Sequence, residues 1–252
     1  MKTIIQSILL SAGILFLSAS YAQELTADEI VQKAQDKANG LSSVGTMKMT
    51  IVRPEWSRDV TMKVWTKGTD FSMILITGPA GDKGQVFLKR HNEMWNWMAS
   101  ISRMIKIPPS MMSQSWMGSD FTNDDLVRMN SIVTDYTHSI LGTENVEGYD
   151  CYKIRLIPKP EAAVVWGKVY IWISKDEYYQ MKAEYFDEDG TLVNTMLASD
   201  IKQMGDRKLP SLLIMVPEEK KGQQTHLEIL EMQFNVPIED SFFSQQNMKT
   251  LR

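Results

Sequence analysis

The sequence predicts a mainly β protein with a few helices (α+β), built on one strongly curved antiparallel sheet or open barrel. Three observations predict it. Most of the chain alternates apolar and polar residues with a period of two, the mark of strands with one buried face. Turn signals rich in Gly, Asn and Asp separate these runs at hairpin spacing. Helical patterns are too few for an α/β layer design, so the sheet must bend over its own apolar side while helices and loops close what stays open.

The elements follow in chain order. MKTIIQSILLSAGILFLSASYA carries one positive charge, Lys2, an apolar run from Ile4 to Leu17, and small residues before Ala22. That run is short for a membrane span, and the pattern is that of a cleavable signal peptide at residues 1–22. No Cys lies near the cut, so the chain itself is not expected to be a lipoprotein. The remaining 23–252, about 230 residues without a linker or low-complexity tract, read as one domain. LTADEIVQKAQDKANG holds a capping box, Thr26 with Glu29, and Gly40 just past the end, which predicts a helix from Ala27 to Asn39.

The period then changes. In TMKMTIVR, Met47, Met49 and Ile51 share a face; in RDVTMKVW, Val60, Met62 and Val64 do; in DFSMILIT, Phe71, Met73 and Leu75 do. QVFLKR, EMWNWMA and SRMIKI continue an antiparallel meander that stops at Pro108-Pro109. PPSMMSQSWMGSDF has no clean period and reads as a long loop with at most a short helical turn. FTNDDLVRM reads as a helix, with Thr122 as N-cap and Asp124 and Asp125 in the first turn. Seven further strand-like runs fill the second half, from YTHSILGTENV to THLEILEMQF, and the chain ends in a short helix after Asp240.

Several function classes are excluded or left without support. Removing residues 1–22 takes away Lys2 and no acid, so the net charge moves from -4 to -5. With no basic stripe, neither nucleic acid nor anionic lipid surface is an expected partner. The three histidines, His91, His138 and His226, show no metal-ligand spacing. There is no GxSxG elbow, and Cys151, the lone cysteine, sits in a strand as a small buried apolar residue. GPAGDKG leads into a strand rather than a helix and reads as a turn. Asp120, Asp124 and Asp125 lack the Gly and terminal Glu of a calcium loop. No metal, no cofactor and no catalytic set is expected.

What stands out is an apolar surplus. The chain has 18 Met against 8 Phe, and Met94–Phe121 alone holds three Trp and six Met. Met fills irregular gaps in a core, yet it also recurs where a surface must accept variable apolar shapes. A packed core and a refillable pocket under a Pro-bounded lid both fit this pattern.

WMGSDFTNDDL, YDCYKIRLIPKP, GKVYIWISKDEYYQMKAEYFDEDG and the closing IEDSFFSQQNMKTL resemble the bacterial outer-membrane lipoprotein-sorting protein family, the LolA-like periplasmic carriers, in their longer branch. The resemblance covers nearly the whole of 23–252. It implies an incomplete antiparallel β-barrel closed by helical segments around an apolar cavity, no catalysis and no cofactor. It also implies periplasmic carriage of lipoprotein acyl chains, or of another lipid, as a monomer between an inner-membrane donor complex or exporter and an outer-membrane acceptor. An arginine on the sheet would hold the lid, with Arg53, Arg58, Arg90 and Arg103 as candidates. The expected cavity residues are Met47, Met49, Ile51, Met62, Val64, Phe71, Met73, Leu75, Trp95 and Trp97. The expected lid or hinge residues are Ile105, Met111, Met112, Trp116 and Met117. A two-residue period does not say which face of a curved sheet is concave. The alternative classes are a binding module or enzyme for another small hydrophobic ligand on the same scaffold, and a periplasmic adaptor without a cavity.

Overall fold

The structure, a computed structural model, describes residues 24–128, 132–162 and 164–251; the expected signal peptide lies outside them. After α1 (Ala27–Asn39) comes a first meander: β1 (Ser42–Arg53), β2 (Trp56–Lys67), β3 (Phe71–Gly78), β4 (Val86–Arg90), β5 (Glu93–Met98) and β6 (Arg103–Ile107). A linking segment carries α2 (Asn123–Arg128) and α3 (Ile132–Asp135). The second meander is β7 (Tyr136–Val146), β8 (Tyr149–Pro158), β9 (Lys168–Ser174), β10 (Gln180–Phe186), β11 (Leu192–Met204), β12 (Arg207–Pro217) and β13 (Gln224–Phe234), followed by α4 (Gln245–Met248).

All thirteen strands form one antiparallel sheet, in the order β6-β5-β4-β3-β2-β1-β13-β12-β11-β10-β9-β8-β7. The two meanders meet at the β1–β13 pair, and the sheet curves without closing. Its free edges, β6 and β7, are consecutive in the chain. The segment between them, 108–135, therefore has to cross the opening. The expected fold class holds, and the reason is the strict alternation: on β1, Met47, Met49 and Ile51 are buried while Thr46, Lys48 and Thr50 are not.

Local chemistry sets the ends. The Glu29 amide donates to Thr26 Oγ1 at 3.3 Å and the Thr26 amide to Glu29 Oε2 at 2.8 Å, completing the capping box of α1. Glu29 Oε2 accepts from both the Thr26 amide and the Thr26 hydroxyl, and these bonds lower the Glu29 carboxyl pKa. α1 buries Ala27, Ile30, Val31 and Ala34 against the second meander. Its N-terminus is tied to β7 through His138 Nδ1 and Asp28 Oδ1, 2.5 Å apart. At Gly45, β1 and β13 approach so closely that a Cβ would lie 2.6 Å from the Glu231 carbonyl oxygen, beside a bulge at Thr46/Met47. No helix among the described residues is long and apolar enough to cross a membrane.

Apolar packing divides into two clusters on opposite faces. The larger lies on the concave face under α1 and the linking segment. The smaller lies on the convex face of β3–β5, covered by the C-terminal segment through Ile238, Phe242, Phe243, Met248 and Leu251. This strap is held by Lys67 Nζ, which donates to the Ile238 carbonyl at 2.8 Å and to Asp240 at 2.6 Å.

Candidate functional site: an apolar hollow beneath a latched loop

The concave face encloses a hollow of about 220 Å³. Its walls come mainly from α1 and the second meander. Ala34 and Ala38 form the roof, while Val169, Ile171, Met196, Leu213 and Ile229 form the sheet side. Trp166, Tyr136, Tyr179 and Tyr185 supply the aromatic wall. Met47 is the one residue of the first meander on this wall. A second hollow of about 50 Å³ lies beside it over β1–β4, and the two share Asn39, Met47 and Met232.

The main hollow has a polar corner. Asp125 Oδ1 accepts from Trp166 Nε1 at 2.7 Å, and Asp125 Oδ2 accepts from the Thr122 amide at 2.8 Å. The Asp125 amide donates back to Thr122 Oγ1 at 3.0 Å, so α2 has the cap expected from FTNDDL. Loss of solvent pushes the Asp125 carboxyl above its ordinary value, opposed by the bonds from Thr122 and Trp166. The Tyr185 phenol is pushed up by burial and by the neighbouring Asp125. Both acids serve local structure here: Asp124 accepts from the Val165 amide at 3.3 Å.

The loop that follows Pro108-Pro109 is folded on itself. A short 3-10 turn spans Pro109–Met111, the Trp116 amide donates to the Phe121 carbonyl at 2.8 Å, and Asn123 Nδ2 donates to the Met111 carbonyl at 2.9 Å. The loop inserts Trp116, 1% exposed, edge-on against Phe87 of β4 with ring centroids 5.2 Å apart. Met112 and Phe121 are buried with it. Trp116 Nε1 has no hydrogen-bond partner among the described residues.

One arginine grips this loop. Arg53, at the end of β1, donates from Nη1 to Asp120 Oδ2 at 2.9 Å and from Nη2 to the Gly118 carbonyl at 2.7 Å. Asp120 also accepts from Thr225 Oγ1 of β13 at 2.7 Å. Of the four arginines considered, Arg58 instead pairs with Asp82 in the turn after β3, and Arg90 and Arg103 are exposed.

The structure separates the expected cavity residues into three groups. Met47, Met62 and Val64 border the hollows on the concave side, while Phe71 touches the smaller hollow but stacks its ring on Phe243 beneath the C-terminal strap on the convex side. Met49 and Ile51 face the same concave side but are packed in the core and border neither. Met73, Leu75, Trp95 and Trp97 are on the opposite, convex face beneath the C-terminal strap. That last placement corrects the sequence reading. The run Met73-Ile74-Leu75-Ile76 is apolar on both faces, and it is Ile74 and Ile76 that face the cavity side. Among the lid residues, Met112 and Trp116 are buried, Met117 packs half-buried against the core, and Ile105 shares the concave side through its pairing with Asn96. Met111, 37% exposed, points away from the core. Sequence reasoning missed Trp166, Tyr179 and Tyr185. Tyr179 and Tyr185 lie in the run YYQMKAEYF, but Trp166 precedes β9 outside any alternating run, and a two-residue period does not show which face is concave.

A family model described as "Uncharacterized protein"-like matches residues 68–250. No curated protein matches the sequence. Among solved structures, a domain named for outer-membrane lipoprotein sorting, from Vibrio parahaemolyticus, is similar with TM-score 0.79 and 23% identity, over 88% of this chain and 98% of that one. A LolA superfamily protein from Nitrosomonas europaea has TM-score 0.78 and 24% identity, over 89% and 100%. A DUF1329 family protein from Desulfovibrio piger has TM-score 0.78 and 22% identity, over 87% and 95%. The expected resemblance is met in the fold: one curved, unclosed sheet with few helices, as in the LolA-like structures.

Proposed function

Since the chain belongs to the family described as uncharacterized-protein-like and folds as the LolA superfamily does, we propose that it is a periplasmic carrier of acyl chains. It would shield the chains of lipoproteins, or of another lipid, between an inner-membrane donor or exporter and an outer-membrane acceptor. The observation that carries this reading is the apolar hollow under a loop held by the Arg53–Asp120 network.

Exposing an acyl chain to water costs about 0.8 kcal/mol per methylene, so a sixteen-carbon chain carries on the order of 12 kcal/mol. A carrier must replace that contact with apolar wall and must also release the chain. The hollow is smaller than the roughly 300–1,000 Å³ of ordinary ligand pockets, which fits a closed, unloaded form. Trp116, Met112 and Phe121 occupy the concave face as a stand-in for cargo. The unpartnered Trp116 N–H costs the closed form about 1–3 kcal/mol in desolvation, a cost that opening relieves.

A binding module or enzyme for another hydrophobic ligand is the second reading, favoured only by the polar corner at Asp125. Because that carboxyl is already committed to Trp166 and to the cap of α2, the carrier reading is the stronger. Mass spectrometry of an organic extract from protein purified without detergent tests it. An acyl lipid near one per chain is expected, lost in Met47→Glu with the fold intact by circular dichroism. Recovery of no lipid, and no uptake of an acyl probe offered to the purified protein, would sink the proposal.

A further inference from the structure

On its core-facing side β10 presents Met181, Ala183 and Tyr185. The first two are apolar and buried. Tyr185 lies between Val169 of β9 and Asn194 of β11 and lines the main hollow. Its ring is tilted against Trp166, with centroids 5.2 Å apart. Phenylalanine would make the same ring contact, so packing does not account for the hydroxyl.

The protein serves that hydroxyl poorly. It donates to Met196 Sδ at 4.0 Å, a weak acceptor at long range, and accepts from no donor among the described residues. Burial and the neighbouring Asp125 keep the phenol protonated, so it offers one O–H and unused lone pairs. A polar group left unmet in an apolar hollow is costly. Asp125 borders the same hollow and keeps part of its surface accessible. Its bonds from Trp166 and Thr122 do not use all the lone pairs of a carboxyl.

Tyr185 and Asp125 thus present a donor and acceptors beside a sheet side that is apolar at Val169, Ile171, Leu213 and Ile229. The group that complements both is a neutral hydroxyl, which accepts from the phenol and donates to the carboxyl. A carboxylate has no hydrogen to give and brings a second negative charge toward Asp125. An ammonium has no lone pair for the Tyr185 hydrogen.

We infer that Tyr185 and Asp125 form a specificity site for the cargo: the amphiphile carries a free hydroxyl, held between the phenol and the carboxyl, with its chain along the apolar sheet side. This rests on the carrier reading for the chain and adds the chemistry of the head.

Displacement of N-phenyl-1-naphthylamine, an apolar fluorescent probe, tests it. Four competitors share one dodecyl tail: 1-dodecanol, 1-chlorododecane, dodecanoate and dodecylammonium, each kept below the concentration at which it aggregates, at a pH where the last two are charged. Tyr185→Phe keeps the ring and should weaken dodecanol about five-fold, the size of an ordinary hydrogen bond. Chlorododecane and the probe should stay within about two-fold of wild type, because neither uses the phenol. Asp125→Asn, folded by circular dichroism, should bind dodecanoate about five-fold more tightly once the like charge is gone. Dodecanol binding that does not respond to Tyr185→Phe overturns the hydroxyl site, while displacement by chlorododecane upholds the carrier. Equal weakening of dodecanol and chlorododecane also overturns it and marks Tyr185 as plain wall. Dodecanoate binding unchanged by Asp125→Asn overturns the part assigned to Asp125. Dodecylammonium as the tightest competitor, weakened by Asp125→Asn, overturns the proposal in favour of a cation site. Failure of the probe to bind, or of every competitor to displace it, overturns both readings.

Discussion

Arg53 joins three parts of the chain that are far apart in sequence: the end of β1, the loop at Gly118–Asp120 and the start of β13. Its side chain is 12% exposed and that of Asp120 is 2% exposed, so removing the guanidinium leaves a buried carboxylate without its cation. Arg53→Met should therefore destabilise the protein by about 3 kcal/mol, read as a shift in the urea midpoint, and should raise amide exchange across 112–122 more than in β11–β13. Sequence named Arg53 among four candidates and could not choose. The choice depends on Asp120 and Thr225, 67 and 172 residues away, and no local pattern records such a meeting. Asp125 sets a pH dependence whose sign follows from its raised pKa. The folded state takes up the proton more readily than the unfolded chain, whose carboxyl titrates near 3.8. This group's contribution to stability is thus lost as pH rises through the folded value and gained as pH falls toward 3.8. Measured against Asp125→Asn, wild type should gain stability as the pH is lowered from neutral toward 3.8, and parallel curves for the two proteins would show that Asp125 titrates normally.

Among the elements, strands were readable and their faces were not always so. β1 and β2 alternate strictly, and their buried faces are those the sequence indicated. β3 carries four consecutive buried apolar residues, Met73 to Ile76, because a strap covers its outer side. A doubly covered strand loses the alternation that would orient it. The sequence predicts a short helix after Asp240, but FFSQQNM gives no local sign of where Phe243 and Met248 dock, although both end up with 0% exposure. Ending the chain at residue 236 should expose Trp65, Phe71 and Trp95, with aggregation in sedimentation as the expected result. The linking loop was legible as irregular because of its Pro pair, and its inward Trp116 was legible only as a large apolar residue in need of cover. Trp116→Ala should cost about 3 kcal/mol through the void left beside Phe87. The same variant should take up more of an apolar dye if the vacated space is part of the cargo path; an unchanged dye titration would mark Trp116 as simple core.

At the scale of the molecule, the open sheet decides how the hollow can enlarge. A closed barrel would have to break strand pairs to admit a long acyl chain. Here β6 and β7 are unpaired to each other, and the chain passes from one to the other through the linking segment. The sheet seam offers no such freedom: at Gly45 the two meanders are too close for even a methyl group, and β1 pairs with β13 from Ser43 to Val52. Expansion should therefore come from lifting the loop and shifting α1, with every strand pair kept. Loading with a sixteen-carbon acyl probe should then speed amide exchange in 112–126 by about ten-fold or more, as a locally opened segment does. Amides in the β1–β13 pair should change by less than about two-fold, because their hydrogen bonds open only with the core. Faster exchange at the β1–β13 seam, with the loop unchanged, would mean that the two meanders part like a hinge and that the latch at Arg53 has no role in admitting cargo.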